Sequence, residues 1–504
     1  MTVLRARARR NRSPSNWTTD VTDEKTRSGY AHPLAERYAS NEMLEVFSAQ
    51  HRFETWRKLW IALAEAEMDM GLPVTEEAIA EMRAGLGDLD FEKAAEYERR
   101  FRHDVMAHVH LFGDVAPSAR GIIHLGAASA FIGDNTDLIQ HREGLLILRA
   151  RVIRCVQALS AFAKEHRALP TLGFTHFQPA QPTTVGKRAT LWIQDFLLDL
   201  EEIEFRLETL RFRGIRGTTG TQASFLSLLG GDHSKVDRLE TLVAEKMGFS
   251  RAFGVTGQTA SRKVDQALLA TLAGIGSSAS KMGNDLRLLA HLREVEEPFE
   301  KEQIGSSSMP YKRNPMRAER ICALSRHAIT LAQDPAFTAA TQWLERTLDD
   351  SANRRVAVPD AYLTMDGVLV LVENVASGLV VNPMVIRRNL EEHLPFLATE
   401  TVMMLATQRG GDRQELHERI RRHSLDTARI MKEEGVRADL LGRIAADPAF
   451  GMTLEELKEL VNPQDFVGRA PEQVDRFLEE WVDPVLTRYS ASTMSVLGEP
   501  DVRV

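Results

Sequence analysis

Apolar positions recur at helical spacing over most of this chain, but the runs differ greatly in length. In the middle of the sequence, apolar side chains return every three, four or seven positions through three long stretches, 138–163, 192–210 and 264–289. Stripes with this near-heptad spacing predict long helices that pack side by side at small crossing angles. We interpret them as core-packing surfaces, and their length predicts a bundle that continues beyond one subunit.

Shorter apolar runs flank these stripes on both sides. Residues 42–70 show helical spacing that ends at Gly71-Leu72-Pro73, after which Thr75 is placed to cap another short helix. Beyond residue 380 the predicted helices are short again, because glycines and prolines interrupt the pattern. These breaks are Pro395, Gly410, Gly411, Pro448 and Pro463.

The pattern therefore predicts an all-α fold with three helical domains. At 504 residues the chain is too long for a single hydrophobic core. The predicted parts are a disordered basic tail over 1–30, an N-terminal helical domain over 31–128, a central long-helix bundle over 129–381 and a C-terminal helical domain over 382–504.

The balance of charges excludes some classes of partner. The net charge is −8 and the isoelectric point is about 6.1, whereas nucleic-acid-binding domains are usually basic. No apolar run approaches the roughly 20 residues that span a bilayer. We therefore expect neither nucleic acid nor a membrane as a partner. A small anionic ligand stays possible, since a pocket can concentrate arginines in an acidic protein.

Cysteine usage and the N-terminus bear on the compartment. Cys155 and Cys322 lie in apolar, helix-like stretches without the spacing of a zinc or redox motif, so we expect buried reduced thiols in a cytoplasmic protein. Residues 1–19 are rich in arginine and contain no acidic residue, which could indicate an organelle transit peptide. They lack a clear apolar face, however, and a disordered tail is the preferred interpretation.

The polar segments between the long stripes are candidate sites for chemistry, because loops on a rigid helical frame often carry it. These segments are 170–187, 214–224 and 304–315. In the last of them, Lys312 and Asn314 can stabilise a developing oxyanion, and a neighbouring serine can then accept a proton. Pro315 near the start of the next helix is expected to leave backbone N–H groups free to meet an anion. A flexible linker with a helix cap is the alternative.

Residues 305–315, GSSSMPYKRNP, match the GSSxMPxKxNP loop of the fumarase/aspartase superfamily, and MPYKRNPMRAER resembles the form found in the adenylosuccinate lyase family. The resemblance covers nearly all of the chain from about Tyr30 onwards. It implies an all-helical homotetramer that builds each active site from three chains and uses no metal or redox cofactor. The other stretches that resemble the family are 102–110, 125–138, 171–188, 216–225, 256–265 and 342–355.

The resemblance implies an anti β-elimination that releases fumarate from adenylosuccinate and from succinylated aminoimidazole carboxamide ribotide. Ser306 would be the base that removes a proton from the succinyl carbon, with Ser307 left open as an alternative. Lys312 and Asn314 would hold the charge that spreads into the adjacent carboxylate. His176 would protonate the departing nitrogen, a task for which histidine is suited near neutral pH.

The same resemblance places further polar residues around a substrate with two carboxylates and a phosphate, which the planar fork of arginine suits. The implied substrate-binding residues are Arg37, Tyr38, Arg102, His103, Asp104, Ser129, Thr175, Gln258, Arg320, Arg346, Ser351 and Arg355. The chain departs from the family at Ala128, where a threonine hydroxyl is often present. Without the resemblance, each arginine could equally form a surface ion pair.

Other interpretations of these motifs are weaker. His103, His108 and His110 could suggest a metal site, but no HExxH or facial carboxylate accompanies them. Residues 217–220 look like a phosphate loop, yet no Gly-Lys-Ser/Thr follows. The alternative functions are another superfamily lyase, such as argininosuccinate lyase, and an inactive structural relative of the lens-crystallin type. The intact Ser306 and His176 argue against the second.

Overall fold

The computed structural model describes residues 29–437, 439–489, 497 and 502. Helices dominate this part of the chain and strands are few and short, which confirms the predicted all-α fold. Of the predicted tail, residues 1–28 lie outside the described residues. Within the described ranges, no helix is both long enough and apolar enough to cross a membrane.

Five helices build the N-terminal part of the fold. They are α1 (Asn41–Val46), α2 (Ala49–Asp69), α3 (Glu76–Ala84), α4 (Phe91–Phe101) and α5 (Asp104–Val115), preceded by a π-helical turn at Leu34–Tyr38 and followed by a 3-10 turn at Pro117–Ala119. The hydroxyls of Ser40, Ser48 and Thr75 accept hydrogen bonds from the first turns of α1, α2 and α3. The Thr75 cap is thus confirmed, whereas the predicted 42–70 helix is two helices separated at Ser48.

Long helices, with shorter ones between them, form the middle of the molecule. The helices here are α6 (Ser129–Glu165), α7 (Val185–Thr209), α8 (Ala223–Leu228), α9 (His233–Lys246), α10 (Lys263–His291), α11 (Met316–Leu331), α12 (Asp334–Ala340) and α13 (Asp350–Ser377). The three apolar stripes fall on α6, α7 and α10, so the long helices predicted from them are confirmed. The pattern did not predict α13, because Pro359 lies within it and residues 361–373 are buried on every side.

The long helices surround one extended apolar core. Side chains from α6, α7, α10, α11 and α13 meet in it, and Leu148, Phe196, Leu272 and Val368 are fully buried there. Cys155 and Cys322 are free and buried, as expected. Burial raises the pKa of the Cys155 thiol, which keeps it protonated.

Two short antiparallel sheets interrupt the helices. Strands β1 (Pro170–Thr175) and β2 (Gln178–Thr184) form a hairpin, and β3 (Val295–Glu296) pairs with β4 (Val380–Val381). The segment 170–187 is therefore not the irregular loop that its prolines suggested. Pro179 and Pro182 are tolerated because a two-stranded hairpin has an outer edge that needs no N–H donor.

The remaining helices are α14 (Pro383–Glu391), α15 (Leu394–Leu397), α16 (Thr399–Gln408), α17 (Arg413–Glu434), α18 (Leu440–Ala446), α19 (Leu454–Glu459), α20 (Ala470–Phe477) and α21 (Asp483–Arg488), with a 3-10 turn at Pro463–Phe466 and a π-helical turn at Leu478–Val482. A small separate core lies among α16–α19, whereas α20 packs back onto α7. The expectation of short helices was wrong for α17, whose 22 residues contain no glycine or proline. The domain boundaries stay predictions.

One carboxyl group lies unpaired in the N-terminal core. Glu67 on α2 is fully buried, and among the described residues neither of its side-chain oxygens has a hydrogen-bond partner. Burial raises its pKa to about 8 from an ordinary value of 4.5. Because the unfolded chain ionises near the ordinary value, the stability associated with this group is complete below that pH and is lost as the pH rises towards 8.

Replacing Glu67 by glutamine is expected to change stability little at pH 5 and to raise it at pH 8 by on the order of 2–4 kcal/mol, because the amide keeps the shape but cannot ionise. Urea unfolding over a pH series measures the difference. Glu65→Gln on the same helix is the control, since Glu65 is ion-paired with Arg83 near the surface. A difference between Glu67→Gln and wild type that does not grow with pH would contradict a titrating buried carboxyl.

Candidate active site

A cavity of about 670 Å³ opens at one end of the bundle. Its walls come from α2, the junction of α4 and α5, the first turns of α6, and the first turns of α13. Polar side chains predominate in this lining, and many are charged. Seven predicted site residues meet here: Arg102, His103, Asp104, Ser129, Arg346, Ser351 and Arg355.

The junction of α4 and α5 presents three of these residues. Arg102 ends α4 in the left-handed conformation with φ of 54°, which turns the chain sharply into α5. His103 is the N-cap of α5, and its Nδ1 accepts a hydrogen bond from the N–H of Met106 at 3.4 Å. Asp104 accepts from the N–H of Val105 at 2.8 Å. A tight turn and two side-chain caps therefore orient all three side chains.

The start of α13 faces this junction across the cavity. Ser351 and Arg355 lie one helical turn apart, so both side chains point to the same side. The Arg355 guanidinium donates to Asp104 at 3.1 Å, and both side chains are accessible to solvent. An exposed pair of this kind contributes little to stability. The guanidinium can therefore exchange its carboxylate partner for a ligand anion.

Buried ion pairs hold the walls of the cavity in place. Arg262 donates to Asp350 at 2.6 Å and to Asp134 at 3.1 Å, which ties α13 to α6. Arg354 donates to Asp265 on α10 at 2.6 Å. Burial alone would raise the pKa of Asp265, but the Arg354 charge holds it well below its ordinary range. The members of this network lie in three separate stretches of the sequence, so no linear pattern indicates which of them pair.

The three histidines proposed as possible metal ligands do not converge. His103 faces the cavity, whereas His108 is buried and stacked on Phe53 with ring centroids 3.8 Å apart. Burial lowers the pKa of His108 to about 4. His110 stacks on Phe101 at 4.6 Å. Among the described residues, no three candidate ligands are grouped around a common point.

A further histidine, His124, lies close enough to His103 for their charges to interact. His124 has a φ of 71°, a strained conformation for a residue other than glycine, and its Nδ1 accepts from the Trp60 indole N–H at 3.0 Å. Burial, together with the nearby charge of His103, lowers its pKa to about 4. The ring is therefore neutral with its proton on Nε2. No pattern in the sequence distinguishes this histidine from one that is only structural.

Gln258 is hydrogen-bonded to the residue that precedes Arg346. Its backbone N–H donates to the carbonyl of Glu345 at 3.0 Å, and its carbonyl accepts from Arg213. The glycine-rich turn 217–220 lies against the same segment, because a Cβ on Gly220 would stand 1.9 Å from the carbonyl oxygen of Thr256. Position 220 requires glycine because the two backbones approach too closely for a side chain. The turn thus packs directly against the segment that contains Gln258.

Arg37 and Tyr38 occupy the π-helical turn at Leu34–Tyr38, outside the cavity lining. The turn rests on α13, where a Cβ on Gly367 would stand 2.9 Å from the carbonyl oxygen of Tyr38. The N–H of Ser40 donates to the buried carboxylate of Asp366 at 2.6 Å. Gly367 and Asp366 therefore fix the position of the turn that carries Arg37.

Thr175 and His176 lie far from the cavity. His176 and Phe177 form the exposed tip of the β1–β2 hairpin, with φ of 53° and 55°. Such tips normally contain Asn-Gly, so two larger residues here store strain of the kind found at functional sites. Helix α6 runs from the cavity to the base of this hairpin, and its 37 residues span about 55 Å. Six-residue β1 covers only about 20 Å, so His176 cannot reach back to its own cavity.

The loop that contains Ser306, Lys312 and Asn314 closes on itself. The Asn314 amide donates to the carbonyl of Gly305 at 2.8 Å, and the Ser306 hydroxyl accepts from the N–H of Met309 at 3.2 Å. Lys312 is exposed, and a Cβ on Gly305 would collide with its carbonyl. This loop, too, lies outside the cavity lining.

The expectation of free N–H groups at the start of α11 was wrong. The N–H groups of Arg317 and Ala318 donate to the carboxylate of Glu297 at 3.0 and 2.9 Å. Glu297 is 20 residues upstream of Arg317, and no local sequence pattern predicts that it caps this helix. Arg320, one turn further along α11, is partly buried and also outside the cavity lining.

Family profiles and known proteins match this chain over most of its length. A family profile described as "Lyase" matches residues 38–329, and one described as "Adenylosuccinate lyase C-terminus" matches residues 395–477. The adenylosuccinate lyase of Saccharomyces cerevisiae is 52% identical over 460 residues, which cover 91% of this chain and 95% of that protein. That of Schizosaccharomyces pombe is 49% identical over 465 residues, which cover 92% and 96%. The chain belongs to the adenylosuccinate lyase family.

As a member of the adenylosuccinate lyase family, the chain is an enzyme of the lyase class. Solved structures agree with this placement. The 3-carboxy-cis,cis-muconate lactonizing enzyme from Pseudomonas putida superposes with a TM-score of 0.76 at 25% identity, covering 89% of this chain and 98% of that one. A fumarate lyase from Mesorhizobium sp. BNC1 gives 0.75 at 25% identity, covering 90% and 100%. The resemblance drawn from the sequence motifs is confirmed.

Proposed function

We propose that this enzyme cleaves adenylosuccinate to AMP and fumarate, and the succinylated aminoimidazole carboxamide ribotide to the free carboxamide ribotide and fumarate. The observation that carries this proposal is the cavity in which Arg102, Arg346 and Arg355 converge. Three guanidinium groups suit a ligand with a phosphate and two carboxylates. Ser351 and His103 beside them add hydrogen-bonding groups.

In the proposed reaction, the Ser306 oxygen removes a proton from the succinyl carbon next to a carboxylate. The electron pair spreads into that carboxylate, where Lys312 and Asn314 stabilise the charge. The carbon–nitrogen bond then breaks, and His176 gives a proton to the departing nitrogen. Fumarate leaves as the second product. Ser129 at the start of α6 supplies a hydroxyl to the succinyl group, while Ala128 beside it has none.

We also propose that each site is shared among subunits of a homotetramer. Within one protomer, His176 and Ser306 lie outside the cavity lining. The far ends of α6 and α13 adjoin the two segments that carry them, since α6 ends just before the β1–β2 hairpin and Gly378, directly after α13, packs on Pro298. Antiparallel packing of two copies brings the far end of one beside the cavity of the other. Arg37, Tyr38, Thr175, Gln258 and Arg320 would complete the substrate contacts in this assembly.

Helix α7 presents a surface suited to such packing. Leu191, Leu198 and Phe205 are spaced seven residues apart, and each is about half exposed, at 48%, 51% and 50%. Seven-residue spacing aligns them on one side of the helix, as in helices that pair through a heptad seam. We propose that a second copy covers this stripe. The two free buried thiols support placing the assembly in the cytoplasm.

The direct test is an absorbance assay for AMP and fumarate release from adenylosuccinate, with argininosuccinate as the alternative substrate. Turnover of adenylosuccinate alone supports the proposal. Turnover of argininosuccinate instead would favour the other lyase, and a folded protein with neither activity would favour a structural relative.

Prolonged dialysis against a chelator is expected to leave turnover unchanged, and no nicotinamide, flavin or pyridoxal cofactor should be needed. The proposed steps use proton transfer and anion stabilisation by side chains alone. The measurement compares turnover before and after dialysis, with untreated enzyme held in parallel. Loss of turnover that a divalent metal restores would contradict the proposed chemistry.

A further inference from the structure

Helix α13 contains a proline where it lines the cavity. Pro359 lies ten residues into Asp350–Ser377 and is part of the cavity wall. Proline has no backbone N–H, so the helical hydrogen bond from residue 359 to the carbonyl of Arg355 cannot form, and the ring pushes that carbonyl outward. This arrangement weakens the helix. Its position at the cavity points to a role in binding.

The turns of α13 that lead up to Pro359 line the cavity. Ser351, Arg355, Val358 and Pro359 follow the spacing of one helix face, and all four line the cavity. The carbonyl of Arg355 lies between the side chains at 355 and 359 on that face. A tilt of this carbonyl away from the helix axis, as proline causes, would put its oxygen on the cavity side of α13.

We propose that the Arg355 carbonyl oxygen, released by Pro359, accepts a hydrogen bond from a ribose hydroxyl of the nucleotide. This inference rests on the proposed function. A carbonyl oxygen repels phosphate and carboxylate oxygens, so its partner has to be a donor. The guanidinium of the same residue suits the phosphate, and the ribose is the part of the nucleotide bonded directly to the phosphate. Pro359 acts through the Arg355 backbone and is thus a positioning residue.

The test compares wild type with Pro359→Ala by calorimetric titration with AMP, 2′-deoxyAMP and 3′-deoxyAMP. Wild type is expected to bind AMP about three- to ten-fold more tightly than one of the deoxynucleotides, the range for one hydrogen bond. In Pro359→Ala the restored N–H occupies the carbonyl, and this preference should fall towards one. KM for adenylosuccinate should rise by the same factor with kcat unchanged.

Thermal stability separates this role from a structural one. Alanine restores a helical hydrogen bond, so the melting temperature of Pro359→Ala should rise while ribose discrimination is lost. Val356→Ala is the matched control, since Val356 is 61% exposed on α13 and does not line the cavity. It changes helix propensity without changing any N–H donor, and it should keep the wild-type preference.

Two results would overturn the inference. One is a Pro359→Ala enzyme that distinguishes AMP from the deoxynucleotides as wild type does. The other is equal weakening for all three nucleotides, which would place the donor on the base or assign the effect to general distortion. A wild-type enzyme that releases no fumarate from adenylosuccinate would contradict the proposed function, whereas active wild type with unchanged discrimination in the variant contradicts this inference alone.

Discussion

Ser306→Ala is expected to lower kcat for fumarate release by about 10²- to 10⁴-fold, the usual contribution of a general base. The fold should be retained, because Ser306 lies in a surface loop where its hydroxyl accepts a single 3.2 Å hydrogen bond from Met309. Steady-state kinetics with adenylosuccinate measure the loss. A thermal melt of the same preparation checks the fold.

Ser307→Ala is the matched control, since the two serines are adjacent in the same loop and Ser307 is exposed. It should keep most of the turnover. Near-normal rates in Ser306→Ala together with a large loss in Ser307→Ala would transfer the role of base to Ser307. The choice between them rests on the family motif, and the geometry of one protomer does not favour either.

Mixing His176→Ala with Ser306→Ala, each nearly inactive alone, is expected to restore about a quarter of the wild-type sites. If the two residues reach one site from different subunits, random assembly at equal ratio gives each group a one-half chance of being intact. The length of α6, about 55 Å, places His176 well beyond its own cavity, which is the physical reason for expecting recovery in mixed assemblies. Activity after co-refolding measures the recovery.

Each variant unfolded and refolded alone supplies the baseline, and native mass spectrometry shows whether mixed assemblies have formed. Mixed assemblies without recovered activity would mean that both residues come from one chain. A recovery well above one quarter would also be inconsistent with independent, random contributions from two subunits.

The long helices were predictable because apolar residues on α6, α7 and α10 repeat at helical spacing and pack into one core. Helix α13 was not predictable in this way. Its C-terminal half is enclosed on all sides, so no polar face marks its period, and Pro359 argues locally against a helix. The hairpin at 170–184 was missed for a related reason, since its prolines are acceptable only because each strand has a free edge.

The residues of the candidate site also fall into those that the sequence indicated and those that it did not. Residues carried by contiguous motifs, such as Arg102 to Asp104 and Ser351 with Arg355, could be named from the sequence, and the fold brings them to one cavity. Residues whose hydrogen-bond partners are distant in sequence could not be assigned a role from the sequence. Glu297 caps α11 from 20 residues away, and Arg262 joins carboxylates on α6 and α13. Such pairs depend on tertiary packing, and a linear pattern does not show it.

Because Arg355 is already paired with Asp104, an anionic ligand can bind this guanidinium only by replacing the Asp104 carboxylate. The guanidinium already has an anion at 3.1 Å, so an incoming group is favoured only by the margin by which it outcompetes a carboxylate. Chloride, with one charge and no directional lone pairs to match the fork, gains little by this exchange. A phosphate offers more charge and several oxygens to the same fork, and it gains more. Asp104 thus keeps this guanidinium paired until an anion that binds it more strongly than a carboxylate, such as a phosphate, takes its place.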